Sequence, residues 1–588
     1  MTALEDALTE VDLVADRFLA GRHIPGVAYG IVAGGKLVHT RGLGTLRIGE
    51  NASPSADSVF RIASITKSFT AATILALRDE GSLTLDDPIA THLPDLAKLR
   101  GPTADAPAIT IRHLLTMASG LATDDPWGDR QQGLDLRVFA RFLRGPLTFA
   151  WTPGTRFEYS NLGYGILGRL ITAVGGAEYR DVVRARLLEP LGMTGTRYLL
   201  KEVPVKRRAK GYLWRDEAYV VEPFDAYGAL ASMGGIYTSV RDLATWIAFF
   251  TDAYPPRDGT DAASPLSRAS RREMQTGYTQ LRPYIFSASL DGEPETVGAA
   301  YGYGLFIEDS SRWGRIVGHS GGYPGFGSAM RWQPSSGLGV IVLANHRYAP
   351  ATPLSRELLA SILASGAVPP RRLRPSSATS AARAIVERLL AAWDDDLAER
   401  VFAMNVELDE PLAVRRAAIE GLAEVHGTLR PDRELPAESE SPLHTAWWLA
   451  GEKGGRVKVE VLLSPESPPR IQAFNVTSVP APTSQLAEIA SRIIGAINGP
   501  DPFAFADLTV GPDVDRPALA RILRIAAARY QPVTLGPAVA GDGATTATWR
   551  VAGQDGSLEL SVTRDAVTGV VTAIALRPRL VPPPEHAD

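Results

Sequence analysis

Residues 318–328 read GHSGGYPGFGS, and the role given to Ser320 decides between two folds. Gly318-His319-Ser320-Gly321-Gly322 satisfies the G-x-S-x-G pattern of a nucleophile elbow. That reading would make Ser320 the catalytic serine of an α/β-hydrolase-type esterase. An elbow needs a helix directly after the serine. Residues 321–327 supply four glycines and a proline instead, which no helix tolerates. His346, at a strand end, is no convincing partner for the acid-then-histidine order such enzymes follow. Ser320 therefore reads as part of a strand, and a nucleophile has to be sought elsewhere.

Length and composition narrow the search. A chain of 588 residues is too long for one core and predicts two to four domains. With 45% hydrophobic and 21% charged residues and a net charge of −4, nothing favours nucleic acid or an anionic membrane as partner. Cysteine is absent, which excludes disulfides, thiolate metal sites and a cysteine nucleophile. No cluster suits a metal or other cofactor, so none is expected. The acidic, amphipathic N-terminus lacks the basic and apolar regions of a secretory signal. No apolar run is long enough to span a membrane. A cytoplasmic protein is the expectation.

The order of elements predicts an α+β layout. "GVAYGIVAGGKLVHTRGLG" reads as a hairpin turning at Gly34-Gly35. "SITKSFTAATILALRDEG" reads as a helix stopped at Gly81. Helical patterns fill the middle, in "IRHLLTMASG", "NLGYGILGRLITAVG", "YRDVVRARLLEPLG" and "VRDLATWIAFFTDA". Strands return in "GYGLFIED", "RIVGHS", "SAMRWQP" and "GVIVLAN". An antiparallel sheet begun at the N-terminus and completed after a helical stretch fits this order.

Residues 367–381, AVPPRRLRPSSATSA, read as a linker. Beyond it, "AIVERLLAAW" from Ala384 resembles "EIASRIIGAI" from Glu488, and "RIQAFNVT" from Arg470 resembles "VVTAIALR" from Val570. Two copies of a helix–helix–strands unit of about a hundred residues account for this. The expected domains are 1–370, 371–480 and 481–588.

Of the eight lysines, Lys67 alone has a serine three positions before it. Ser64-Ile65-Thr66-Lys67 opens a helical segment, so hydroxyl and ammonium would be neighbours on one face. A serine hydroxyl needs a nearby group to remove its proton, and an adjacent amine can do so. Taken alone, the pattern also fits a capping serine followed by a solvated lysine. Tyr159-Ser160-Asn161 adds a phenol that a lysine could hold partly ionised as general base, and an amide that could orient substrate or lysine. His319-Ser320-Gly321 ends an apolar strand.

Serine-x-x-lysine, tyrosine-x-asparagine and a basic residue-x-glycine, in that order, resemble the motifs of the penicillin-recognising serine hydrolases. These include class C β-lactamases, DD-peptidases and their esterase and D-aminopeptidase relatives, the peptidase S12-like group. The likeness runs over roughly residues 10–365. It implies a β-lactamase/transpeptidase-like domain, an antiparallel sheet flanked by helices with an all-helical region. It also implies Ser64 as the acylated nucleophile, with Lys67 and Tyr159 sharing proton transfer. Asn161, His319, Ser320 and Gly321 would contact substrate, and the N–H groups of Ser64 and Gly322 would form the oxyanion hole. The β-lactamases carry lysine where this chain has His319, a poorer anchor for a carboxylate. That departure points to small esters or peptides, D-residues included, rather than to efficient β-lactam hydrolysis.

The C-terminal pair shows no catalytic cluster. It would cover the cleft, support a homo-oligomer, or be a structural appendage. The alternative of a different class is an inactive family member serving as a binding module.

Overall fold

The computed structural model describes residues 3–578 apart from 258, 260, 262–263, 287–294, 370–373, 440, 501–507, 513 and 554–555. The chain divides into two compact units, Met1–Arg371 and Arg372–Asp588.

In the first unit, helix α1 (Ala3–Leu19) leads into the hairpin β1 (Gly26–Ala33) and β2 (Lys36–Gly44). The chain then leaves the sheet through helices α2 (Thr66–Asp79), α3 (Asn161–Gly175) and α4 (Val240–Thr251). It returns as β3 (Glu295–Tyr301), β4 (Phe306–Ser310), β5 (Gly314–Tyr323), β6 (Phe326–Gln333) and β7 (Leu338–Ala344). Helix α5 (Ala351–Ser365) follows. The strand order is β2-β1-β7-β6-β5-β4-β3, extended past β3 by the short strands Thr279–Gln280 and Tyr284–Phe286. Every pairing is antiparallel. This is the α+β sheet predicted from the order of elements.

The apolar runs of β1 and β7 are continuous because both faces of the sheet are covered. Val27, Tyr29 and Ile31 join α1 and α5 in one core, while Ala28 and Val32 join the helices on the opposite face. Strand β7 divides the same way, with Val340 and Val342 on the first side and Ile341 and Leu343 on the second. The period of two assigns each side chain to its core.

In the second unit, helices Ser377–Ala391 and Leu412–His426 precede the strands Leu429–Pro431, His444–Gly451, Arg456–Leu463 and Ile471–Val479. Helices Ser484–Asn498 and Arg516–Tyr530 precede Thr534–Ala540, Thr546–Gly553, Gly556–Arg564 and Val571–Pro578. Each set of strands forms its own four-stranded antiparallel sheet. The expected linker, 367–381, is shorter than predicted. Ser376 accepts the Thr379 N–H at 3.1 Å, and this cap starts a helix at Ser377. Residues 370–373 of that stretch lie outside the described residues.

Candidate active site

Ser64 stands on a tight turn, Ala63–Ile65, that runs directly into α2. Ala63 is held at φ 45°, a left-handed conformation costly for a residue with a Cβ. The sheet holds this turn in place. Ser328 Oγ donates to Ile62 O at 2.8 Å, and Ser328 stands opposite Gly321 in the β5–β6 register. A Cβ at Gly321 would lie 2.1 Å from Ile62 O. Glycine is therefore what lets β5 press against the nucleophile turn.

Lys67, the second residue of α2 and one turn beyond Ser64, is wholly buried. Its Nζ donates to Ser64 Oγ at 3.0 Å, Asn161 Oδ1 at 2.7 Å and Met233 O at 2.9 Å, which uses all three ammonium protons. Burial pulls its pKa down from 10.5 to about 8, against the opposing charges of Asp125, Asp129 and Asp124. Roughly one such lysine in ten is then neutral at pH 7.

The Tyr159 hydroxyl is hydrogen-bonded to Ser64, and Lys67 Nζ lies 4.9 Å from its ring centre. Burial pushes the phenol well above its ordinary pKa of 10 and Asp125 adds to this, while the bond to Ser64 pulls it back. The resting phenol is neutral, contrary to the partly ionised base expected from the lysine's proximity. Desolvation of the phenolate outweighs the nearby ammonium.

Asn161 is the first residue of α3. The Ser160 side chain caps that helix through Gly163 N–H at 3.1 Å. Asp124 accepts the N–H groups of Asn161 and Leu162, each at 2.7 Å. The Asn161 side chain accepts from Lys67 and donates to Asp125 Oδ1 at 2.6 Å. Both ends of the amide are engaged, so what Asn161 orients is Lys67.

His319 is 4% exposed. Its Nδ1 lies 2.6 Å from Ser320 O, and a carbonyl can only accept, so Nδ1 carries the proton. Nε2 then accepts from the Tyr301 hydroxyl at 3.0 Å. Burial and the Lys67 charge pull its pKa to about 3. His319 is a neutral ring in a buried tyrosine–histidine layer.

Strand β5 pairs with β4 only as far as Gly318, so residues 319–323 form an open edge. His319, Ser320 and Gly322 of that edge line a cleft of about 710 Å³ with Ser64, Tyr159, Asp125 and Asp129. Ser320 sits within a strand that continues to Tyr323, and no helix follows it. Its Oγ has no hydrogen-bond partner among the described residues. His346 is occupied in accepting the Trp214 N–H at 3.3 Å. The elbow geometry is therefore absent at Ser320.

Sequence reasoning missed Asp124, Asp125, Asp129 and Tyr348. Tyr348, held at φ 46°, donates to Asp129 Oδ2 at 2.8 Å. Its ring approaches to 2.6 Å of where a Gly322 Cβ would be. Burial raises the Asp129 pKa to about 6, despite the bond from Tyr348. The one available signal was Asp124-Asp125-Pro126, a helix-start pattern with nothing in it to indicate Asn161. Among the described residues, no group of three or more metal-ligating side chains is assembled, and no helix is long and apolar enough to cross a membrane.

An antiparallel sheet interrupted by helices, with a serine–lysine turn against its open edge, is the architecture of the penicillin-recognising serine hydrolases. The chain belongs to the beta-lactamase family, whose model matches residues 11–364. It is similar to Protein flp of Staphylococcus aureus strain COL, 29% identical over 344 residues, which cover 58% of this chain and 63% of that one. It is similar also to penicillin-binding protein 4 of Amycolatopsis lactamdurans, 31% identical over 356 residues, which cover 59% and 88% of the two chains. The octameric penicillin-binding protein homologue from Pyrococcus abyssi shares the fold. It aligns with a TM-score of 0.53 at 20% identity, over 97% of this chain and 98% of that one.

Proposed function

We propose that this protein cleaves small esters or amide and peptide bonds, D-residue-containing ones included, through an acyl-enzyme on Ser64. The observation that carries the reading is Lys67 Nζ at 3.0 Å from Ser64 Oγ, with an ammonium pKa of about 8. A lysine so poised is neutral often enough to act as a base near pH 7.

In the neutral state Lys67 takes the Ser64 proton as Oγ attacks the substrate carbonyl carbon. The backbone N–H groups of Ser64 and Gly322 are assigned to the resulting oxyanion, each worth about 3 kcal/mol. Tyr159, a neutral phenol beside Ser64, hands a proton to the leaving alcohol or amine and is reprotonated from Lys67. The carbonyl carbon's bond to the leaving group breaks, and Ser64 holds the acyl group as an ester. Water attacks that ester with the same pair moving its proton, which frees the acid and restores Ser64.

His319 favours esters and peptides over β-lactams, because a buried neutral ring with both nitrogens engaged offers no cation to a carboxylate. We assign residues 1–370 to catalysis, and 371–480 and 481–588 to two α+β repeats. The octamer named for the Pyrococcus homologue makes assembly of this chain worth testing by light scattering.

A fluorophosphonate tests the reading. The adduct should appear in the peptide containing Ser64 and vanish in Ser64→Ala. An adduct on Ser320 would move the nucleophile to that serine and overturn the role given to Ser64. No adduct, with folding intact, would favour the inactive binding module.

A further inference from the structure

One end of the cleft beside Ser64 is closed by a wall that joins the sheet to the helical region. Arg347 and Tyr348 follow β7 on the sheet side, and Asp129 and Arg130 follow the short helix Asp125–Gly128 on the other. Two ties connect these neighbouring pairs. The Tyr348 hydroxyl donates to Asp129 Oδ2 at 2.8 Å. Glu222, a buried carboxylate, takes Arg347 at 3.1 Å and Arg130 at 4.0 Å. The Tyr323 hydroxyl, at the end of β5, adds a third hold, 2.6 Å from Asp129 O.

Tyr348 is the part of this wall that meets the cleft. The residue is half-exposed and lines the cleft beside Gly322. A Cβ at Gly322 would stand 2.6 Å from Tyr348 Cδ1, so glycine there is what admits the ring. At φ 46° the tyrosine backbone is strained, and such strain persists only where the surroundings over-determine it. The ties to Asp129 and Glu222 do so. The opposite end of the cleft is aromatic, with Tyr159 and Phe306 packed around His319 and Phe157 next to Phe306. Gly322 lies three residues further along β5, about 10 Å away. Tyr159 hands its proton to the leaving group, which places that group at the His319 end. The acyl group then points toward Gly322 and Tyr348.

We propose that Tyr348, tied to Asp129, is a specificity-determining residue that closes the acyl end of the cleft and sets the length of acyl group admitted. The proposal rests on the acyl-enzyme reading above and deepens it. A long acyl chain meets the ring, and the ring cannot swing aside without giving up its bond to Asp129. The leaving group, at the other end of the strand edge, is not limited by this wall.

The test compares p-nitrophenyl acetate with p-nitrophenyl octanoate, with the Ser64→Ala rate subtracted. kcat/KM for the acetate should exceed that for the octanoate by about tenfold or more. Tyr348→Gly removes the ring and relieves the strained backbone, so folding should survive. The acetate-to-octanoate ratio should fall about tenfold in that variant. Tyr348→Phe keeps the ring and cuts the tie to Asp129, and should lower the ratio about threefold. Phenyl acetate against 2-naphthyl acetate varies the leaving group alone, and that ratio should hold in both variants. An acetate-to-octanoate ratio near one, a ratio unchanged in both variants, or a change confined to the leaving-group pair overturns the proposal. Binding of acetamide and hexanamide to Ser64→Ala protein, with and without Tyr348→Gly, keeps the two readings apart. Removing the ring should raise the affinity for hexanamide about tenfold and leave that for acetamide where it was. Equal hexanamide affinity in the two backgrounds sinks the wall even if the protein is an esterase. The gain in hexanamide binding, without Ser64-dependent turnover, supports the wall and sinks the hydrolase reading.

Discussion

Lys67 Nζ lies closer to Asn161 Oδ1, at 2.7 Å, than to Ser64 Oγ, at 3.0 Å. The asparagine fixes the amine, and the amine faces the nucleophile with its third proton. If Lys67 is the base in acylation, kcat/KM for a neutral ester should rise tenfold per pH unit and level off near pH 8. The sign is that of a base, because activity requires the proton to be absent. His319 adds no limb above pH 4, its pKa being about 3. Stability should carry the same signature. Between about 8 and 10.5 the unfolded chain holds a proton that the folded one lacks, so stability rises with pH across that window. Lys67→Met should abolish both effects. A flat pH–rate profile from 6 to 9 would exclude Lys67 as the base.

Tyr159→Phe removes the hydroxyl at Ser64 and leaves the ring that packs against the core. Because the phenol is neutral at rest, its role is to pass a proton onward. Turnover should fall about 10²-fold, and more for an amide than for a p-nitrophenyl ester whose leaving group needs no proton. The melting temperature should hold. Equal losses on the two substrates would mean that Tyr159 does not serve the leaving group.

The strands and the three motifs were legible because each is a local pattern. Short continuous apolar runs mark β1 and β7, and Ser64 and Lys67 are one helical turn apart. The acids were not legible. Asp124 and Asp125 meet Asn161 only because a loop folds back across the start of α3, and no spacing in the chain encodes that meeting. Tyr348 was hidden for the same reason, since its contact with Asp129 spans most of the domain. The neutral states of Tyr159 and His319 depend on burial, which a motif does not report.

Gly321→Ala tests the clamp between strand and nucleophile turn. The added methyl would stand 2.1 Å from Ile62 O and 3.0 Å from Ala63 Cβ, both part of or next to the backbone that carries Ser64. Either β5 or the turn must give way. Activity should fall about 10²-fold through misplacement of Ser64, and the melting temperature should drop with it. Wild-type turnover in this variant would show that the close approach is not needed for catalysis.

The first unit has cores of its own. The two clusters on either face of its sheet draw only on residues up to Val368. A chain ending at Val368 should therefore unfold cooperatively and take a fluorophosphonate on Ser64. Loss of soluble, cooperative protein would show that the catalytic unit needs residues beyond it.

His319→Lys separates the structural role of that position from the one its motif implies. In the family's β-lactamases a lysine there is read as a cation for the substrate's carboxylate. In this chain the position is buried, 4% exposed, and already feels the Lys67 charge. An introduced ammonium would lose the bonds to Tyr301 and Ser320 O and repel Lys67 in a poorly hydrated setting. Two consequences should follow. The melting temperature should fall, because a buried layer loses its hydrogen bonds and gains a charge. The acidic limb of the pH–rate profile should also move down by roughly one pH unit, because repulsion makes Lys67 easier to deprotonate. A stable variant whose limb stays near 8, and which gains on penicillin relative to a neutral ester, would show the new side chain reaching the open edge of β5 to bind substrate. His319 would then be a specificity residue, and its burial in the present chain a consequence of the smaller ring.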